Sequence, residues 1–331
     1  MLGFRDRIRG RRTLARKRNT AATLLSLLVC TGSVGASGAI ETFDMSSAER
    51  GAVDLDGSER LRVVATTSIV GDIVANVGGD DIVLEVLIVG QDPHTYRPTP
   101  SAMTAIERAH IVFTNGHGLE EGLLGTIDEV AGGVVFALAE HARGEIEAPG
   151  TRSDPHAWLN PRNVAGWVED IEFVLSRDDP GRRTRFKSRA ASYLQILSDL
   201  DYEIHEALAG IPSDSRKLVT DHDSFGHFAS AYGLTIVGSI LPVSTSAQIS
   251  PRALAELIDL LRREKATTLF VGTTAGRDVE MLARTLEDEI GVRVRIVQLH
   301  TGSLAPPGTP GDTYVGYMQH NTTRLVEGLS H

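Results

Sequence analysis

The sequence predicts an α/β protein of two doubly wound α/β lobes joined by a long helix. Three observations carry that prediction. Between residues 61 and 138, β-rich apolar segments alternate with short helical patterns, the rhythm of a parallel sheet wound on both faces. Residues 160–209 contain no strand pattern. From residue 218 onward the alternation resumes.

In chain order, residues 62–67 read as a strand, 69–77 as a short helix closed by Gly78-Gly79, and 82–89 as a buried strand. Ser101 reads as the N-cap of a helix through 109, and strands follow at 111–114 and 134–138. Asn160-Pro161 pairs an N-cap with proline at the first helical position. Val164, Trp167, Val168, Ile171, Val174 and Leu175 then share one helix face, until Asp179-Pro180-Gly181 breaks it. A longer helix over 182–209 carries the stripe Phe186, Tyr193, Leu194, Leu197, Leu200, Ile204 and Leu208, and is the natural connector. Beyond it, strands at 218–220, 234–240, 268–271 and 292–297 alternate with helices at 225–232, 253–264 and 278–290, and a helix over 314–329 closes the chain. The expected organisation is an export segment at 1–40, a flexible linker at 41–60, a first lobe at 61–180, the connecting helix at 181–210 and a second lobe at 211–331. At 331 residues the chain is long enough for two domains, each with its own core.

Residues 1–20 hold eight cationic side chains against Asp6 alone, a local charge of +7. An apolar run at 21–29 and small residues at 31–39 complete the parts of a secretory signal. The run is too short to cross a bilayer, which takes about 20 apolar residues. With −10 overall, residues 21–331 carry −17. Such an acidic body argues against nucleic-acid binding and favours encounter with cations. The only cysteine, Cys30, falls in the export region, so the folded body has neither a disulfide nor a thiolate, and any metal site there must be built from His, Asp or Glu. Leu27-Leu28-Val29-Cys30 loosely resembles a bacterial lipoprotein box, with Val29 bulky where a small residue is usual.

One tripeptide occurs twice, as Asp92-Pro93-His94 and Asp154-Pro155-His156. From average composition a single copy is expected roughly 0.02 times in a chain of this length. Proline fixes φ and pushes the preceding residue to extended geometry, so each copy holds an imidazole on a turn with little backbone freedom. The Asp is then placed to accept a hydrogen bond from the turn backbone or the ring and so to orient the His. His222, in Thr220-Asp221-His222-Asp223-Ser224-Phe225-Gly226, stands between a strand and a helix expected to be capped by Ser224. All three histidines therefore fall at strand ends facing helix N-termini, where open α/β sheets bind ligands. Three neutral imidazoles suit Zn²⁺, ahead of Mn²⁺, while Ca²⁺ and Mg²⁺ are disfavoured. Asp278, on the loop after strand 268–271, is the candidate fourth ligand; an ordinary helix N-cap explains it equally well. Because the imidazoles must be neutral, affinity is expected to fall as pH drops toward about 6.5 and below. His110, His205 and His227 read as structural or solvated, and Trp158 and Trp167 as lobe packing.

Val64-Ala65-Thr66-Thr67-Ser68-Ile69, Asp92-Pro93-His94-Thr95-Tyr96 with Pro98, Asn115-Gly116, Asp154-Pro155-His156-Ala157-Trp158, Asn160-Pro161-Arg162-Asn163, and Asp221-His222-Asp223-Ser224-Phe225 with Phe228 resemble the successive signatures of the zinc and manganese substrate-binding proteins of ABC importers. The similarity runs from about Leu61 to Leu329. It implies two lobes joined by one long rigid helix, with a metal held in the interlobe cleft by three or four side chains. Carried over by motif, the ligands are His94 and His156 from the first lobe and His222 from the second, where a His rather than a Glu favours zinc. Many members have an acidic residue directly after the strand where this chain has Gly272, which leaves Asp278 or water for the fourth position. His117 marks a shortened mobile loop near the entrance.

The resemblance implies an exported receptor, in the periplasm or on the outer face of the cytoplasmic membrane, that delivers Zn²⁺ to an ABC permease as a monomer. A secreted zinc hydrolase is the alternative, since three histidines and a water also describe a catalytic site. Against it stand the absence of His-Glu-x-x-His, of a nucleophile elbow and of a Glu placed as general base. A metal-dependent surface adhesin is a third reading.

Overall fold

The computed structural model describes Val53 and residues 59–141, 154–241, 251–273, 279–291 and 293–330. The segment expected to direct export, with Cys30, most of the expected linker, and Asp278 lie outside these residues.

The first lobe runs β1 (Leu61–Thr67), α1 (Ser68–Gly78), β2 (Ile82–Ile88), α2 (Pro100–Arg108), β3 (Ile111–Thr114), α3 (Glu121–Val130) and β4 (Val134–Ala137). Helices α4 (Pro161–Asp178) and α5 (Arg183–Ala209) follow. The second lobe runs β5 (Lys217–His222), α6 (Gly226–Tyr232), β6 (Thr235–Leu241), α7 (Pro251–Glu264), β7 (Thr268–Gly272), α8 (Val279–Ile290), β8 (Arg295–Leu299) and α9 (Tyr314–Leu329). The two sheets have the same winding. Their orders are β2-β1-β3-β4 and β6-β5-β7-β8, with every pair parallel. Each order reverses beside its first strand, which opens a crevice past the carboxyl ends of β1 and β3 in one sheet and of β5 and β7 in the other.

Local chemistry explains where the helices begin. Thr67 leaves β1 in extended geometry and its side chain accepts from Val70 N, so α1 starts at Ser68 and buries Ile69, Val70, Ile73, Val74 and Val77. Helix α2 is capped by Thr99 rather than by Ser101, because Pro100 occupies the first helical position and the cap must precede it. Helix α6 starts at Gly226 without a side-chain cap, and the Ser224 hydroxyl expected there is buried away from any partner. Two further differences stand out. Strand β8 sits two to three residues later than its apolar run suggests, and helix α3 fills a stretch where no element was expected.

Helix α5 spans 27 residues, about 40 Å at 1.5 Å per residue. Phe186, Tyr193, Leu197, Leu200, Ile204 and Leu208 are buried along its whole length. The expectation of two separate cores is corrected here. One apolar cluster runs from β1 and α1 through α4 and α5 to α9, and includes Leu218, Phe270 and Val297 of the second sheet. Because both lobes bury themselves on the α5 stripe, the connector is part of the core. Smaller clusters back the outer face of each sheet.

Candidate metal centre

Three short segments bring three imidazoles together. Past β2, Asp92 accepts from the backbone N–H of His94 at 3.0 Å, which locks the turn Pro93–Thr95. Asp154 does the same for His156, also at 3.0 Å, ahead of the turn Ala157–Leu159. His222 is the last residue of β5, so a strand rather than a loop carries it, and Asp221 accepts from its N–H at 2.9 Å. His94, His156 and His222 each offer a ring nitrogen, and the three lie within 4.8 Å of one another. Among the described residues no carboxylate joins that group.

The ring orientations favour a cation. His156 Nδ1 is 2.7 Å from Asp154 Oδ1, and His222 Nδ1 is 3.1 Å from Asp221 Oδ1. A carboxylate only accepts, so each Nδ1 carries the proton and each Nε2 keeps a free lone pair. His94 Nε2 and His156 Nε2 are 3.3 Å apart. A tetrahedral zinc with bonds of about 2.0–2.1 Å separates two of its nitrogens by about 3.3–3.4 Å. One edge of the group, between His94 and His156, thus matches a tetrahedral ion.

Electrostatics keep the site ready. Burial, followed by the adjacent His156, lowers the His94 pKa to about 4. His94 is therefore neutral at pH 7, with its lone pair available to a cation. Burial by itself would raise the Asp154 carboxyl, but the hydrogen bonds and charge of His156 outweigh it and hold Asp154 below its ordinary value. Asp154 thus stays ionised beside the ring it orients.

Asp278, the expected fourth ligand, lies outside the described residues. Gly272 cannot be replaced by an acidic side chain without rearrangement: a Cβ there would lie 2.6 Å from Thr301 Oγ1. Its N–H has another use, donating to Asp221 Oδ2 at 2.7 Å. His227 is structural, as expected, but it also spans the lobes. Its Nε2 is 3.1 Å from the Asp154 carbonyl, while Nδ1 faces Asn163 at 3.3 Å. Trp158 and Trp167 are core residues, at 1% and 0% exposure.

Sequence reasoning missed Glu120. It is fully buried, and burial raises its pKa against the bonds it accepts from Thr66, Asn115 and Gly116. Asn115 in turn donates to the Pro155 carbonyl at 2.8 Å, directly before His156. The stretch around His117 forms a turn, with Glu120 bonded to the backbone N–H groups of Asn115 and Gly116. Only the Asn115-Gly116 pair hinted at this, because two adjacent acids, Glu120 and Glu121, carry no signal of which one turns inward.

Known proteins resemble this chain over most of its length. Residues 63–328 match the family model described as zinc-uptake complex component A, periplasmic. The chain is 30% identical over 301 residues to the manganese ABC transporter substrate-binding lipoprotein PsaA of Streptococcus pneumoniae, covering 87% of this chain and 95% of that protein. It is 30% identical over 276 residues to the manganese-binding lipoprotein MntA of Halalkalibacterium halodurans, covering 83% and 90%. The solved structure of the periplasmic zinc binding protein TroA from Treponema pallidum superposes with a TM-score of 0.77 at 28% identity, covering 82% of this chain and 99% of that one.

Proposed function

Because this chain belongs to the zinc-uptake complex component A family of metal ABC transporter substrate-binding proteins, we propose that it captures Zn²⁺ at His94, His156 and His222 and passes it to its permease. Family membership makes it an extracytoplasmic binding protein and not an enzyme, so the hydrolase alternative falls away. Binding requires no covalent step. Its demands are neutral imidazoles held at coordination distance and a charge field that welcomes a cation, which the −17 of residues 21–331 supplies.

The observation that carries the zinc reading is the donor set: three imidazole nitrogens within 4.8 Å, two of them at a tetrahedral edge, with no carboxylate among the described residues. Imidazole donors suit zinc, whereas Mn²⁺ prefers carboxylate and water oxygens in octahedral geometry. Manganese is the second reading, since two of the relatives are named for that metal. Asp278 or a water is the proposed fourth ligand. Export through residues 1–40, lipid attachment at Cys30 and action as a monomer complete the proposal.

Competitive titration of Zn²⁺ against Mn²⁺, followed by calorimetry, tests it. Zn²⁺ should bind more tightly, and His94→Ala, His156→Ala and His222→Ala should each lose far more affinity than His205→Ala. Equal affinity across these four variants would sink the assignment, and tighter Mn²⁺ binding would move the metal. Asp278→Ala reports whether that carboxylate takes part.

A further inference from the structure

One buried hydroxyl bonds to two segments that pack against the histidines, Trp158 and the strap that begins at Thr301. Tyr317, on α9, is fully buried. Its hydroxyl donates to the Thr301 carbonyl at 2.6 Å and accepts the indole N–H of Trp158 at 3.2 Å. Burial raises its pKa well above the ordinary value, so the phenol keeps the proton it donates.

Trp158 is the support on the first-lobe side. Its ring stands edge-on to His156 with centroids 5.2 Å apart, and its carbonyl is held by the Tyr314 hydroxyl at 2.7 Å. Thr301 begins the support on the other side. Its Oγ1 would meet a Cβ on Gly272 at 2.6 Å, and Gly272 N grips the Asp221 carboxylate that orients His222. The next residue, Gly302, lies so close to the His94 turn that a Cβ would be 2.7 Å from Pro93 Cδ. Ser303 then crosses to the first lobe, where its Oγ accepts from Gly90 N at 2.8 Å and lies 3.0 Å from Ser68 Oγ.

We propose that Tyr317 is a positioning residue for the three-histidine site, setting the spacing between its two halves through Trp158 on one side and the strap 301–303 on the other. This rests on the reading of the site as a metal centre. Tyr317 touches no ligand ring itself. It acts by holding the first-lobe turn and the second-lobe strap to one atom, so that rings on separate lobes meet at coordination distance.

The test uses the full chain with Zn²⁺ and Co²⁺ as probes, reading zinc affinity by chelator competition, the visible absorption of bound Co²⁺, and Tm. Tyr317→Phe keeps the ring and removes the hydroxyl's bonds to Thr301 and Trp158. The Zn²⁺ Kd is expected to rise about tenfold, as for other groups that orient metal ligands, with a changed Co²⁺ spectrum. Tyr232→Phe is the matched control. It removes a buried hydroxyl bonded to Asp201 at 2.9 Å and should leave Kd and spectrum unchanged. Trp158→Phe removes the indole donor and should move Kd in the same direction as Tyr317→Phe, with the double variant losing less than the two single losses combined. Wild-type Kd and spectrum in Tyr317→Phe, or equal Kd changes in both tyrosine variants, would overturn the inference alone. A wild-type chain that takes up neither ion would overturn the metal reading with it.

Discussion

The first lobe presents His94 and His156 on short proline turns, whereas the second presents His222 as the last residue of a parallel strand. All three use a neighbouring aspartate to fix the backbone of the histidine. In the Asp-Pro-His turns the aspartate sits two residues before its histidine, so the device is complete within three residues. Asp221 sits directly before His222, and its other oxygen reaches 51 residues along the chain to Gly272 N. Local stiffness thus orients one half of the site and sheet packing the other. Damage to the second half should therefore cost stability as well as affinity.

Substitutions at the two aspartates probe this contrast most strongly. Asp221→Ala and Asp154→Ala should each weaken metal binding about 10- to 100-fold, because each removes the carboxylate that orients a ring. Only Asp221→Ala also leaves the Gly272 N–H buried without its partner, which should cost about 1–3 kcal/mol in urea denaturation. Equal stability loss in the two variants would erase the distinction between the lobes.

Gly272→Ala tests the tether without touching a charge. Its Cβ would stand 2.6 Å from Thr301 Oγ1, so overpacking should cost about 1–3 kcal/mol, read from the same denaturation curves. Pro155→Ala is the first-lobe counterpart. Releasing φ in the unfolded chain should cost about 0.4–1 kcal/mol. Calorimetry should show a smaller zinc loss than for Asp154→Ala, because the hydrogen bonds from His156 to Asp154 survive.

The mildest probe is pH. In the folded chain without metal, the His94 imidazole should titrate near pH 4 by nitrogen-detected NMR. The unfolded chain takes up that proton near 6.5. Above 6.5 the group is neutral in both states and has no effect. As pH falls from 6.5 toward 4 the unfolded state binds the proton first, so stability falls through that window and levels off below it. A His94 midpoint near 6.5 would show that burial by the neighbouring turns does not reach this ring.

Much of the fold was legible because it is written in short-range patterns. The α5 stripe from Phe186 to Leu208 has helical period, and Asn160-Pro161 announces α4 through cap chemistry. Misreadings came from two sources, a competing local signal at α2 and tertiary packing elsewhere. Ser101 yielded to Thr99 because Pro100 moved the start of α2, and the Ser224 hydroxyl is buried where a cap was expected. Glu120 was invisible because its neighbour Glu121 is chemically identical and only packing chooses between them.

Short-range pattern was enough to read the two lobes, the connector and three histidines that the fold brings together, since a repeated tripeptide and a strand-end motif need only their neighbours to define them. Tertiary structure alone decided that the lobes share one core along α5, that Asp221 is tethered to Gly272, and that Tyr317 joins Trp158 to Thr301. Those contacts link residues from 16 to 159 positions apart. No periodicity or turn chemistry encodes such pairs, because their partners are chosen by how the elements pack rather than by any one stretch of chain.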